Sequence, residues 1–79
     1  MIDPELVEKW IFELGAIGAH SGTGVWRTVY SPEWVEAAAT FEKWAREAGL
    51  DVRRDAVGNI WARLDGRDGG SAVVSGSHI

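Results

Sequence analysis

Hydrophobic spacing divides the chain into stretches of different period. Leu6, Val7, Trp10, Ile11 and Leu14 recur three and four residues apart, which draws one apolar stripe down a helix. Asp3 stands where an N-cap belongs, Pro4 occupies the first helical position, and Gly15 offers a left-handed C-cap. The spacing predicts a helix over residues 4–14. Ser31-Pro32-Glu33 repeats the start signal, with an acid at the positive end of the helix axis. Trp34, Ala38, Phe41, Ala45 and Ala48 then share a face, Trp44 lies beside it, and Gly49 closes a helix over 32–48. On its wet side Glu42–Arg46 and Lys43–Glu47 are spaced as i,i+4 pairs.

Beyond Gly49 the period shortens to two. Leu50-Asp51-Val52-Arg53 and Ile60-Trp61-Ala62-Arg63-Leu64 both alternate across a turn at Gly58-Asn59, the pattern of a β-hairpin. Ala72-Val73-Val74 opens as a buried strand and passes into the small polar run Ser75-Gly76-Ser77 before His78-Ile79. Between the helices, Ala16 to Tyr30 holds Gly18, Gly22 and Gly24 and reads as a loop. Asp65-Gly66-Arg67-Asp68-Gly69-Gly70 reads as a solvated turn, because its acids lack the alternation of a calcium loop. The order helix, helix, hairpin, strand is the opening of an α/β or α+β fold.

Composition narrows the function classes. Seventy-nine residues, 46% of them apolar, make at most one small domain, and its core is marginal at this size. No cysteine is present, so no disulfide supplements that core. Five tryptophans are more bulky apolar surface than so thin a layer covers, and they read as core or interface anchors. The net charge of −4 lacks the clustered basic face that nucleic acid requires, and Arg53–Arg54 reads as a solvated strand end. No apolar run approaches the ~18 residues of a membrane span, and the N-terminal residues carry no secretory pattern. A cytoplasmic protein binding neither nucleic acid nor membrane is the expectation.

His78 is the residue with the clearest chemistry. It follows a buried-type strand, and ligands in open α/β sheets sit beyond the carboxyl ends of strands. A neutral imidazole there suits a metal such as zinc, and equally a strand cap or an exposed histidine. Ser77 is no partner for it, since neighbours on a strand point to opposite faces. Gly22-Thr23-Gly24 follows no strand and lacks the rest of a phosphate loop. His20 reads as an exposed loop residue. Arg27, between Trp26 and Thr28-Val29, is suited to binding a carboxylate or pairing with an acid.

Three stretches together resemble a known family. They are Gly24-Val25-Trp26-Arg27 with Tyr30-Ser31-Pro32-Glu33-Trp34; Ala48-Gly49-Leu50 leading to Asp55-Ala56-Val57-Gly58-Asn59; and Val73-Val74-Ser75-Gly76-Ser77-His78-Ile79. This combination resembles the N-terminal part of the hydantoinase/carbamoylase amidases, within the metallopeptidase-type amidohydrolases. Residues 30–34 and Ser-Gly-Ser-His-Ile bring it nearest the branch that acts on allantoate, with the branch acting on N-carbamoyl-L-amino acids as the alternative. Trp26 is bulkier than the family's usual residue before the arginine, and Ala62 stands where relatives often carry glycine.

The resemblance implies that residues 1–79 open a three-layer α/β/α catalytic domain: two helices, a hairpin and a central strand. It makes His78 a ligand to one of two divalent metals, zinc or manganese, and leaves no catalytic residue in this chain. The remaining ligands, the general base and a dimerisation domain are expected downstream, in a homodimeric hydrolase of carbamoyl or ureido C–N bonds. The family motif runs on as His-x-Asp, one residue past Ile79. The chain alone is then expected to be inactive. A non-enzymatic reading stands beside this one: a stand-alone interaction module that presents its tryptophans to a partner.

Overall fold

A computed structural model of the chain describes residues 2–79, which form a mixed α and β structure in two compact units. The first ends at Thr40 and the second begins at Phe41.

In the first unit, α1 spans Pro4–Ala16. The Asp3 carboxylate accepts from the backbone N–H groups of Glu5 (3.1 Å) and Leu6 (3.3 Å), so the N-terminal half of the expectation holds. The C-terminal half does not. The helix runs through Gly15, its C-cap is Ile17, and the left-handed residue is Gly18, at φ +74°. An ideal Cβ on Gly18 would stand 2.7 Å from the Trp26 carbonyl oxygen and 2.8 Å from Arg27 Cγ. Two constraints therefore fall on Gly18 and neither on Gly15, whose Cα faces open space.

The expected loop 16–30 folds into a short hairpin. β1 (Ala19–His20) pairs antiparallel with β2 (Gly24–Val25), and Trp26 N–H extends the ladder to Gly18 C=O at 2.8 Å. Strands of two residues leave no alternation to detect, which is why only the glycines were legible. Tyr30 then takes φ +67°, a left-handed conformation costing an ordinary residue about 1–2 kcal/mol. Its ring meets Trp34 edge-on at 5.3 Å, a contact worth about 0.5–1.5 kcal/mol, so the two effects nearly cancel. Ser31 caps the next helix, its hydroxyl accepting from Trp34 N–H at 3.2 Å.

That helix, α2 (Pro32–Glu47), ends one residue before the expected boundary. Its termination lies in the second unit and is a Schellman motif. Leu50 N–H reaches Ala45 C=O, Gly49 N–H reaches Arg46 C=O, and Gly49 sits at φ +87°. Of the two surface pairs expected, Glu42–Arg46 forms at 3.2 Å, whereas Lys43 and Glu47 make no ion pair among the described residues. β3 (Asp51–Arg54) and β4 (Ile60–Arg63) form the expected antiparallel hairpin, in the register Asp51↔Arg63 to Arg54↔Ile60.

The strand expected from Ala72 is not formed. Residues 64–79 contain no strand, and Val73 is fully exposed. A strand is a paired state, and among the described residues no segment pairs with this one. Burial is correspondingly thin. Among the described residues only Ala37, Ala38 and Ala45 are buried, while Phe12 is 70% exposed. Trp10, Trp34 and Trp44 are half-buried, and Trp26 and Trp61 lie open.

The two glycines near the end of α1 are expected to respond in opposite directions. Gly15→Ala raises stability in urea unfolding by about 0.5–1 kcal/mol, the helix-propensity difference. Gly18→Ala lowers it by at least about 1–2 kcal/mol, because an L-residue is strained there and its Cβ collides with Trp26.

Candidate functional site

His78, the expected metal ligand, lies in the irregular segment after β4, and its side chain is exposed and makes no hydrogen bond or ion pair with any described residue. Ser77 beside it is also exposed. Among the described residues no group of three or more histidine, cysteine or carboxylate side chains is placed to hold a metal ion. A zinc site takes three or four protein donors, and no such group is gathered among the described residues.

The polar centre that the second unit does build surrounds Asp55. One carboxylate oxygen, Oδ1, accepts from Val57 N–H (3.1 Å) and Asn59 N–H (2.9 Å). The other, Oδ2, accepts from Asn59 Nδ2 (2.8 Å) and the Trp61 indole Nε1 (3.2 Å). The backbone closes the same turn, with Asp55 N–H donating to Asn59 C=O at 3.0 Å. The Asn59 side-chain amide is the largest influence in lowering the Asp55 pKa from 3.8 to about 2, with Trp61 and the backbone donors acting in the same sense. Gly58-Asn59 was legible as a turn; Asp55 as its hub was not, because a carboxylate four residues upstream carries no periodic signal.

The two neighbouring arginines are the exposed end of β3, as expected, and both are also engaged. Arg53 lies over the Trp61 ring, with Cζ 4.9 Å from its centroid. Arg54 donates through Nε to Glu42 on α2, whose other oxygen takes Arg46. The hydrogen bond from Arg54 is the chief cause of a lowered Glu42 pKa.

Arg27, in the first unit, meets no carboxylate among the described residues. Its Nη1 donates to Leu14 C=O at 2.8 Å, supplying the positive charge that the last turn of α1 lacks. Its Nε is buried without an acceptor among the described residues. His20 is exposed, as expected, but belongs to β1 and sets its ring edge-on to Trp26 at 4.9 Å. Gly22-Thr23-Gly24 forms the hairpin turn and the start of β2 rather than any phosphate cradle.

The comparisons with known proteins give this arrangement its family. No family model and no solved structure matches the chain. Full-length curated proteins do match. Allantoate amidohydrolase of Escherichia coli (strain K12) is 41% identical over 76 residues, 95% of this chain and 18% of that protein. N-carbamoyl-L-amino-acid amidohydrolase of Paenarthrobacter aurescens is 43% identical over 76 residues, with the same coverage of both chains. Ureidoglycolate hydrolase of Oryza sativa subsp. japonica is 34% identical over 79 residues, 99% of this chain and 16% of the relative. Identity of this order, carried across nearly every residue, identifies a hydrolase family. The chain belongs to the amidohydrolases typified by the allantoate and N-carbamoyl-L-amino-acid enzymes, and it spans under a fifth of the length of these relatives.

The Asp55 centre predicts an acid-side transition. A carboxyl group with a lowered folded-state pKa stabilises the turn fully above its unfolded value, and that contribution is lost as pH falls from about 3.8 through about 2. Trp61 fluorescence and the hairpin amide signals are expected to change together in that window. Asp55→Asn is expected to remove the transition; an unaltered acid titration in that variant would show that another group governs it.

Proposed function

We propose that this chain is the N-terminal portion of a larger metal-dependent amidohydrolase that cleaves ureido or carbamoyl C–N bonds. Allantoate is the preferred substrate of the reading. The observation carrying it is the 41% identity to allantoate amidohydrolase across 95% of the chain. Tyr30-Ser31-Pro32-Glu33-Trp34 and Ser75-Gly76-Ser77-His78-Ile79 support it further. An N-carbamoyl-L-amino acid is the second choice, favoured by the 43% identity to the corresponding amidohydrolase.

In the larger protein the two helices and the β3–β4 hairpin open a three-layer α/β/α domain, and Ala72–Ser75 becomes a central strand once flanking strands exist. The exposed valines at 73 and 74 support that pairing, since a solvated apolar strand sequence gains by being covered. His78 contributes one neutral imidazole to a centre of two divalent metals, zinc or manganese, whose other donors come from outside this chain. Such a centre would supply activation of water at neutral pH and polarisation of the scissile carbonyl. This chain's own part is positional: it ends a strand at a histidine. Among the described residues no helix is long and apolar enough to cross a membrane. The resemblance supports a cytoplasmic homodimer.

Ammonia release by the full-length protein separates the substrates. Turnover of allantoate well above that of N-carbamoyl amino acids is expected, and inertness towards both would end the hydrolase reading. His78→Ala in that protein is expected to lower bound metal, measured by elemental analysis, and to reduce kcat/KM more than about 100-fold, beyond the usual effect of losing a supporting residue around a metal. Unchanged metal content would remove His78 from the ligand set. The 79-residue chain alone is expected to show no hydrolysis, and metal-dependent turnover by it would place the chemistry inside this chain.

A further inference from the structure

The first unit carries a cleft of about 320 Å³ between the β1–β2 hairpin and the start of α2. Its size falls at the lower end of small-ligand sites, which run from roughly 300 to 1,000 Å³. Gly18, Ala19, His20, Trp26, Thr28 and Glu33 line it. We propose that this cleft binds an organic cation, an alkylammonium or guanidinium group, between the Trp26 indole and the Glu33 carboxylate.

Two groups carry the chemistry. The Trp26 indole is 61% exposed, yet it is not adrift: the His20 ring braces it edge-on at 4.9 Å, and its backbone N–H is tied to Gly18 C=O at 2.8 Å. An open indole face attracts a cation through its quadrupole. Glu33, in the first turn of α2, forms no hydrogen bond or ion pair among the described residues. Its negative charge is favourable at that end of the helix and remains open to a ligand.

The cation nearest in sequence does not fill the role. Arg27 is not part of the lining, and its guanidinium is already spent on Leu14 C=O. Gly18 keeps the wall low beside Glu33, since a Cβ there would lie 3.3 Å from Glu33 Cβ. Thr28 adds a hydroxyl that can accept from an ammonium or guanidinium N–H. A neutral apolar ligand would leave the carboxylate unpaired, and an anion would oppose it. The positive charge is what the lining selects. This inference does not depend on the hydrolase assignment.

The cation has two sources, a free small molecule or a lysine or arginine side chain of the larger protein, and one experiment addresses both. The 79-residue chain is titrated with methylguanidinium and with n-butylammonium at about pH 8, above the ordinary imidazole range, and followed by NMR. Saturable shifts of the Trp26 indole N–H and the His20 ring are expected, with none from acetate. Glu33→Gln, which keeps the shape of the side chain, is expected to weaken binding about fivefold or more while leaving the backbone fingerprint intact. Absence of a saturable shift at Trp26, or equal affinity in Glu33→Gln, would overturn the proposal. In the full-length protein, continued binding assigns the cleft to a free ligand. Loss of binding with a Trp26 signal already at its bound position assigns it to a side chain of that protein.

Discussion

Among the described residues alanine is the largest side chain that is buried, and that shortage of apolar burial leaves the elements to be held locally. A Leu or Phe removed from water contributes about 1.5–3 kcal/mol, and no described residue of that size is fully enclosed. What holds the elements is therefore local: hydrogen bonds at helix ends, a carboxylate at the centre of a turn, and rings set against rings. Such interactions contribute about 1 kcal/mol each and act over a few residues. They suffice to define helices and hairpins. They do not make a core.

The two units use this vocabulary differently. In the first, Asp3 and Ser31 start the helices, and Arg27 reaches back to the end of α1 at Leu14. Gly18 permits the close approach that this return requires. In the second, Asp55 gathers four donors from Val57, Asn59 and Trp61, so one carboxylate orders the whole β3–β4 connection. Glu42 then joins the end of α2 to the hairpin through Arg54. Surface ion pairs of this kind stabilise little singly, about 0–1 kcal/mol, so their value here is in fixing direction.

Family membership and local architecture answer different questions. The similarity to allantoate and N-carbamoyl-L-amino-acid amidohydrolases covers 95% of the chain, whereas residues 64–79 have no regular structure. Val73 and Val74 are exposed there, and His78 stands in irregular chain where no group of three or more metal-binding side chains is gathered among the described residues. Exposed tryptophan and valine are side chains more at home in an interior than on a surface.

The sequence by itself determined whatever depends on neighbours a few residues apart. Asp3-Pro4 and Ser31-Pro32-Glu33 announce helix starts because capping is a local exchange of hydrogen bonds, and Gly49 announces an end because only glycine adopts its backbone angle without strain. The β3–β4 hairpin was legible from two alternating runs and Gly58-Asn59 for the same reason. Tertiary structure alone decided the contacts made at a distance. It moved the left-handed cap from Gly15 to Gly18, where Trp26 and Arg27 press close, and sent Arg27 to a carbonyl rather than an acid. It gathered Asn59 and Trp61 around Asp55, and it withheld the strand after Ala72. Periodicity identifies a segment able to pair; whether a partner edge lies alongside is a fact of three dimensions.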